Sequence, residues 1–124
     1  MVFIIIVLTH WIADFVLQAE EWALGKSKSL SPLLKHTAIY SVCWFLPTLV
    51  FSHNLTGSLL FVAITFVAHT ITDYFTSKIV SKRFADNYYG SPIPNFGAFT
   101  IIGFDQVLHY LQLIITWHYI FGLS

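Results

Sequence analysis

Charged residues are scarce in this sequence. Only 10% of its 124 residues are Asp, Glu, Lys or Arg, whereas 56% are hydrophobic and 18% are aromatic. A soluble domain typically carries about 25% charged residues. The composition therefore excludes an ordinary soluble domain and indicates an integral membrane protein. The length predicts a single transmembrane domain over residues 1–124.

Other features are missing as well. Six basic residues balance six acidic ones, so no excess of positive charge points to nucleic acid as a partner. The single cysteine, Cys43, excludes an internal disulfide, and we expect it to pack in its apolar stretch. No basic residue precedes the apolar N-terminal stretch, and His10 and Asp14 interrupt it. We therefore expect a retained first span instead of a cleaved signal peptide.

Four apolar stretches are long enough to be membrane spans, since a helix that crosses a bilayer needs ~20 mostly apolar residues. The predicted spans cover about residues 2–22, 32–51, 58–80 and 97–121. Pro47 predicts a kink in the second span, and a longer loop is expected from Ser81 to about Phe96. The expected fold class is all-α, a four-helix transmembrane bundle.

The basic residues flank only the first and third predicted loops. They are Lys26, Lys28, Lys35, Lys78, Lys82 and Arg83. Because cytoplasmic loops are enriched in Lys and Arg, this distribution predicts that both termini face out, an N-out/C-out topology. Lys26, Lys35 and Lys78 would lie at the cytoplasmic end of the bundle. There they either set the topology alone or attract an anionic headgroup.

Ionisable residues recur inside the predicted spans at a fixed spacing. The pairs are His10 with Asp14, His69 with Asp73, and Asp105 with His109. Residues four apart share one helix face. Because the fourth span runs opposite to the first and third, its reversed order puts the three aspartates in one layer and the three histidines in another, about 6 Å away. His36 is expected near the aspartate layer.

Histidine and aspartate converging in a bundle interior are ligands for Zn²⁺, Mn²⁺ or Fe²⁺. We predict one or two divalent ions, preferably Zn²⁺, with these metal ligands: His10, Asp14, His36, His69, Asp73, Asp105 and His109. Gln18 and Gln106 are expected to support them by hydrogen bonds. The alternative is that each His–Asp pair bonds only within its own helix and has no function.

Two motifs extend beyond the pairs: His10-Trp-Ile-Ala-Asp14-Phe15-Val-Leu17-Gln18 and Asp105-Gln106-x-x-His109. With Lys26, His36 and His69-x-x-x-Asp73, they resemble a family of small bacterial and phage membrane proteins of uncharacterised function. More remotely, the pattern is similar to prokaryotic membrane-bound proteins labelled metal-dependent hydrolases. The resemblance implies a buried, cytoplasm-facing metal site in a multi-pass protein of the bacterial inner membrane. Its phage members are compatible with an infection-related role.

Three function hypotheses follow. The preferred one is a metal-dependent membrane hydrolase that acts on a lipid or lipid-linked phosphoester, with Asp14, Asp73, Asp105 and His36 predicted as its catalytic residues. The second is a cation or proton carrier, since buried His and Asp residues also form relays. The third is a non-enzymatic membrane factor with a structural metal, which acts on a host or membrane-protein partner. Association with a second copy of the chain is compatible with all three.

Overall fold

The computed structural model describes residues 1–86 and 98–122, and within these ranges the chain is helical with no strand. Four long helical segments and one short helix account for most of the described residues. Their bounds are α1 Val2–Trp11, a π-helical turn Ile12–Val16, α2 Glu20–Gly25, α3 Leu30–Val42, α4 Phe45–Ser52, α5 Leu55–Ala85 and α6 Ala98–Phe121. The expected all-α class is confirmed. Most of the expected third loop lies outside the described residues, and α5 continues to Ala85.

The first helical segment is shorter than the predicted span of residues 2–22, because α-helix stops at Trp11 and the π-helical turn that follows ends at Val16. Its last turn is π-helical, and Leu17 N–H donates to the carbonyl of Ile12 at 2.9 Å. A π-helical turn inserts one extra residue and is frequently found at functional sites. Here the wider turn carries Ala13 and Asp14 on its buried side.

The second segment is interrupted at Cys43 and Trp44, between α3 and α4. Pro47 lies four residues beyond Cys43. Proline has no N–H to donate to the carbonyl four residues earlier, and its ring clashes with that carbonyl. The interruption therefore lies one turn before the proline that predicted it.

The helix α5 is the central element and packs against α3, α4 and α6, while α1 packs against α6. Its N-terminus is capped by Asn54, whose side-chain oxygen accepts from Gly57 N–H at 2.8 Å. A Cβ at Gly57 would lie 2.7 Å from a ring carbon of Phe121, so glycine permits the close approach of α6.

Polarity is distributed inside out over the described residues. Many large apolar side chains are exposed, including Phe3, Leu46 and Ile71. The interior instead holds many polar groups, such as Thr65 and Ser58. By length and composition, two described helical stretches are apolar enough to cross a membrane, residues Leu30–Ser52 and Leu55–Ala85.

Candidate metal centre

Every side chain predicted as a metal ligand is buried in the interior of the helical assembly. The seven are His10, Asp14, His36, His69, Asp73, Asp105 and His109. They come from all four long helical segments, so tertiary packing and not local chain geometry brings them together. The fixed four-residue spacing contributes by placing both members of a pair on the buried face of one helix.

One group of four side chains has its ligand atoms around a common point: Asp14, His36, His69 and Asp73. The Nε2 atoms of His36 and His69 are 3.2 Å apart. Asp14 Oδ1 lies 3.0 Å from His36 Nε2 and 3.6 Å from His69 Nε2. Asp73 Oδ2 lies 3.3 Å and 3.6 Å from the same two nitrogens.

These separations match a tetrahedral ligand shell. With Zn–N and Zn–O bonds of about 2.0–2.2 Å, the ligand atoms of a tetrahedral zinc site are ~3.3–3.6 Å apart. Five of the six edges of such a tetrahedron have lengths between 3.0 and 3.6 Å in this group. Two nitrogens and two carboxylate oxygens are also a donor set that suits zinc. The first group therefore fits a divalent ion in both geometry and chemistry.

A second group shares Asp73 with the first and adds Asp105 and His109. His109 Nε2 lies 3.1 Å from Asp73 Oδ1 and 3.2 Å from Asp105 Oδ2. The two oxygens of Asp73 thus face different groups. The hydroxyl of Thr76 is 2.6 Å from the other oxygen of Asp105 and orients that carboxylate from α5.

The structure places His10 outside both groups. Its Nε2 is 2.6 Å from Gln106 Oε1, which can only accept, so this nitrogen carries the proton. Its Nδ1 then accepts from the hydroxyl of Tyr40 at 2.7 Å. Gln106 in turn donates to Asp14 at 3.3 Å and to Asp105 at 3.2 Å. His10 therefore acts on the ligand groups through Gln106 and holds the carboxylates of two different helices in place.

The ring of His69 is held mainly by stacking. The ring of Tyr40 lies against it with centroids 3.8 Å apart, and the ring of His109 lies on it at 4.1 Å. Its Nδ1 is buried and has no hydrogen-bond partner among the described residues. Orientation of this candidate ligand thus depends on aromatic packing, where a hydrogen bond from the distal nitrogen is more usual.

Lys26 contacts the site directly. It caps the C-terminus of α2, and its Nζ donates to Asp73 Oδ2 at 2.9 Å. Burial alone would lower the pKa of Lys26, but the Asp73 carboxylate outweighs this effect and the pKa is raised. The ammonium form is therefore retained at neutral pH and supplies a fixed positive charge beside the ligand groups.

A cavity of about 560 Å³ adjoins the carboxylate side of the two groups. Asp14, Asp105, Gln106 and Lys26 form its polar end. The remaining wall is largely apolar and includes Phe15, Leu24, Val80, Phe84 and Ile102. A volume of this size is in the range of small-molecule sites. The cavity suits a ligand that is polar at one end and apolar at the other.

A family model described as "Protein of unknown function (DUF3307)" matches residues 2–124. The chain belongs to this family. No curated protein and no solved structure matches it.

Buried His and Asp groups in this DUF3307 chain can hold a metal ion. Tyr40 and Thr76 could not be recognised from the sequence, because a lone Tyr or Thr in an apolar helix is usually a packing residue. Lys26 was predicted only at the cytoplasmic end of the bundle. The basic charge at the end of a short loop was the available signal, but the reach of its side chain to Asp73 depends on the fold.

Proposed function

We propose that this protein is a membrane-embedded, metal-dependent hydrolase that acts on a lipid or lipid-linked phosphoester. The observation that supports it is the contact between the ligand groups and the cavity, which Asp14 and Asp105 both line. Hydrolysis of an amphiphilic substrate requires a metal that activates water and a cavity that binds both the polar and the apolar part of the substrate. Metal ligands beside this cavity meet both requirements.

The membrane location is supported by the inside-out distribution of polarity. Large apolar side chains cover the outside of α1, α3 and α5, as lipid contact requires, whereas the described interior is rich in histidine, aspartate, threonine and serine. The proposal includes four spans in the bacterial inner membrane with both termini out. The positive charge around the first and third loops supports this orientation.

A bound divalent ion would supply Lewis acidity and lower the pKa of a coordinated water to about 7. The residues of this chain have distinct parts in the proposed reaction. Asp105 lies at the cavity, where its carboxylate would help to hold a metal ion beside the substrate. Asp14, His36, His69 and Asp73 would hold the metal. Lys26 is placed to pair with an anionic phosphoester at the polar end of the cavity.

Hydrolysis and metal content should be measured together on protein in lipid nanodiscs. Fluorescent phospholipids and a polyprenyl phosphoester serve as substrates, with and without chelator. We expect turnover that is abolished by chelation and restored by one divalent metal. Asp105→Asn should lose turnover, while Asp86→Asn, a change at an exposed turn, should keep it. Absence of metal from wild-type protein after reconstitution would contradict the proposal.

The proposed orientation has its own test. In a Cys43→Ala background, single cysteines at Asn54 and Ser124 should react with an impermeant reagent from the outside, and a cysteine at Lys28 should react from the cytoplasmic side. The reverse pattern would overturn the N-out/C-out topology and the cytoplasmic placement of the site.

One observation favours a second candidate, the cation or proton carrier. The interior remains polar beyond the ligand groups, because Gln112 on α6 donates to Thr65 at 3.3 Å and to Thr116 at 3.0 Å. A carrier would dissipate an imposed proton or metal gradient in sealed liposomes. A Gln112→Leu variant should slow that flux and leave hydrolysis unchanged.

The third candidate, a non-enzymatic factor with a structural metal, is favoured by the completeness of the first group. Structural zinc sites typically have four protein ligands, and this group offers four. Stoichiometric metal without turnover on any phosphoester would support this candidate against the hydrolase. Capture of a specific host or membrane protein would then identify the partner.

A further inference from the structure

We infer that the centre holds two divalent ions with different roles, a closed ion in the first ligand group and an open ion in the second that faces the cavity and binds together with a phosphate group. This inference rests on the proposed function and deepens it, since it assigns the reacting position and the chemical class of its ligand.

The shared carboxylate is the first step of the argument. Asp73 presents Oδ2 to the nitrogens of His36 and His69, and it presents Oδ1 to His109. One carboxylate with its oxygens in two ligand groups is suited to bridge two ions. Paired ions in phosphoester-cleaving sites are about 3.5–4 Å apart and stabilise both the attacking and the leaving oxygen.

The number of protein ligands separates the two positions. The first group supplies four side chains, which complete a tetrahedron and leave no place for substrate. The second group supplies three, namely Asp73, Asp105 and His109. Three protein ligands and an open position are characteristic of catalytic zinc. The second group is therefore the one with room for water or substrate.

Exposure agrees with the number of ligands. Asp105 is 9% exposed, the highest value among the seven predicted ligands, whereas His36, His69, Asp73 and His109 are each 1% exposed. Asp105 also lines the cavity, as does Asp14 of the first group, which is 4% exposed. The open ion would thus lie on the cavity side, with the closed ion behind it.

Charge balance determines what the open ion needs. When the histidines are neutral, as metal ligands are, Asp14, Asp73 and Asp105 contribute three negative charges and Lys26 contributes one positive charge, which gives a sum of −2. One divalent ion neutralises this sum. A second raises it to +2, which is costly in a buried site unless an anion enters the cavity. A phosphate group carries the required charge, so the second ion and phosphate should bind cooperatively.

The test is ion counting by equilibrium dialysis of the full chain in nanodiscs against micromolar Zn²⁺ or Mn²⁺, with and without inorganic phosphate. We expect one tightly held ion without phosphate and a second whose affinity rises about 10-fold or more with phosphate, within the usual range of coupling between two ligands. Asp105→Asn and His109→Gln should each retain one ion and lose the phosphate effect. Asp86→Asn should behave like wild type.

Two results would overturn the inference: a wild-type chain that holds one ion at every phosphate concentration, or variants of Asp105 and His109 that both still hold two. Circular dichroism of each variant shows whether it is folded, and the use of two variants guards against misfolding of either. A protein that holds one ion and hydrolyses phosphoester would contradict the two-ion inference and support the proposed function. A protein that holds two ions and hydrolyses no phosphoester would contradict the proposed function and support the two-ion inference.

Discussion

The two ends of the buried interior contain different types of side chain. At one end lie the histidines and aspartates of the two ligand groups. At the other end the described core holds large aromatic and aliphatic side chains among buried threonines and serines, with Trp44, Phe61, Leu113 and Trp117 in one hydrophobic cluster. The rings of Phe61 and Trp117 meet edge to face at 5.9 Å, and those of Phe61 and Trp44 are 5.6 Å apart.

This difference separates stability from function along the same helices. The aromatic end is held by packing that needs no ligand. The ionisable end gathers three carboxylates and one lysine, and a divalent cation can balance the negative charge that remains when the histidines are neutral. The aromatic end is therefore expected to carry the fold, and the ionisable end the metal. The predictions below test this division, beginning with the largest effect.

Replacement of Asp73 with Asn should have the largest consequence, because this carboxylate belongs to both ligand groups and also bonds Lys26. We expect loss of bound metal and a destabilisation of about 3–5 kcal/mol, the usual cost of leaving a buried charge unpaired. Metal analysis and thermal unfolding in the same detergent measure both. Asp86→Asn, at an exposed turn, is the matched control. Equal and small changes in the two variants would remove the distinction between site and surface.

Replacement of Gln106 with Leu should weaken metal binding without abolishing it. The amide bonds Asp14 and Asp105 but belongs to neither ligand group. Loss of a supporting hydrogen bond typically costs 10- to 100-fold in metal affinity, and competition with a zinc indicator measures it. Gln18→Leu, at the wall of the same cavity, is the comparison. An unchanged affinity would show that the ligand carboxylates need no support from Gln106.

Much of the ionisable end could be predicted from the sequence, since a spacing of four residues on helices of alternating direction determines which side chains share a face and a layer. Asp14 and Asp73 were predicted from this pattern and His36 from its depth in the second span, and the structure brings the three together. The position of His10 could not be predicted. It depends on the π-helical turn after Trp11 and on the approach of Tyr40 and Gln106 from other helices. The spacing of residues along a helix determines which side chains share one face of that helix. The contacts that those side chains make with other helices depend on how the helices pack.

Replacement of Phe61 with Leu tests the aromatic end. The substitution removes ring contacts with Trp44 and Trp117 in a fully buried position and should cost about 1–1.5 kcal/mol. Metal stoichiometry per folded chain should stay at the wild-type value. Denaturant titration and metal analysis of the same sample give both quantities, with the exposed Leu59→Ala as control. A loss of metal from the folded Phe61→Leu variant would show that the two ends are not independent.

The smallest effect is expected where the two ends meet, at Tyr40. Its ring lies between His69 and the aromatic core, and its hydroxyl donates to His10 Nδ1. Tyr40→Phe keeps the ring and removes only that hydrogen bond, so stability should fall by about 1 kcal/mol. Without this donor, His10 is free to move its proton to Nδ1, which would end the donation from Nε2 to Gln106.

Metal affinity of Tyr40→Phe should then fall by less than in Gln106→Leu, because the amide can still reach Asp14 and Asp105 after it loses one of its partners. The double variant Tyr40→Phe/Gln106→Leu measures this dependence. If Tyr40 acts on the metal through Gln106, the double variant should bind metal as weakly as Gln106→Leu alone. If the losses of metal affinity in the two single variants add in the double variant, the Tyr40 hydroxyl influences the ligands by a route that does not include Gln106.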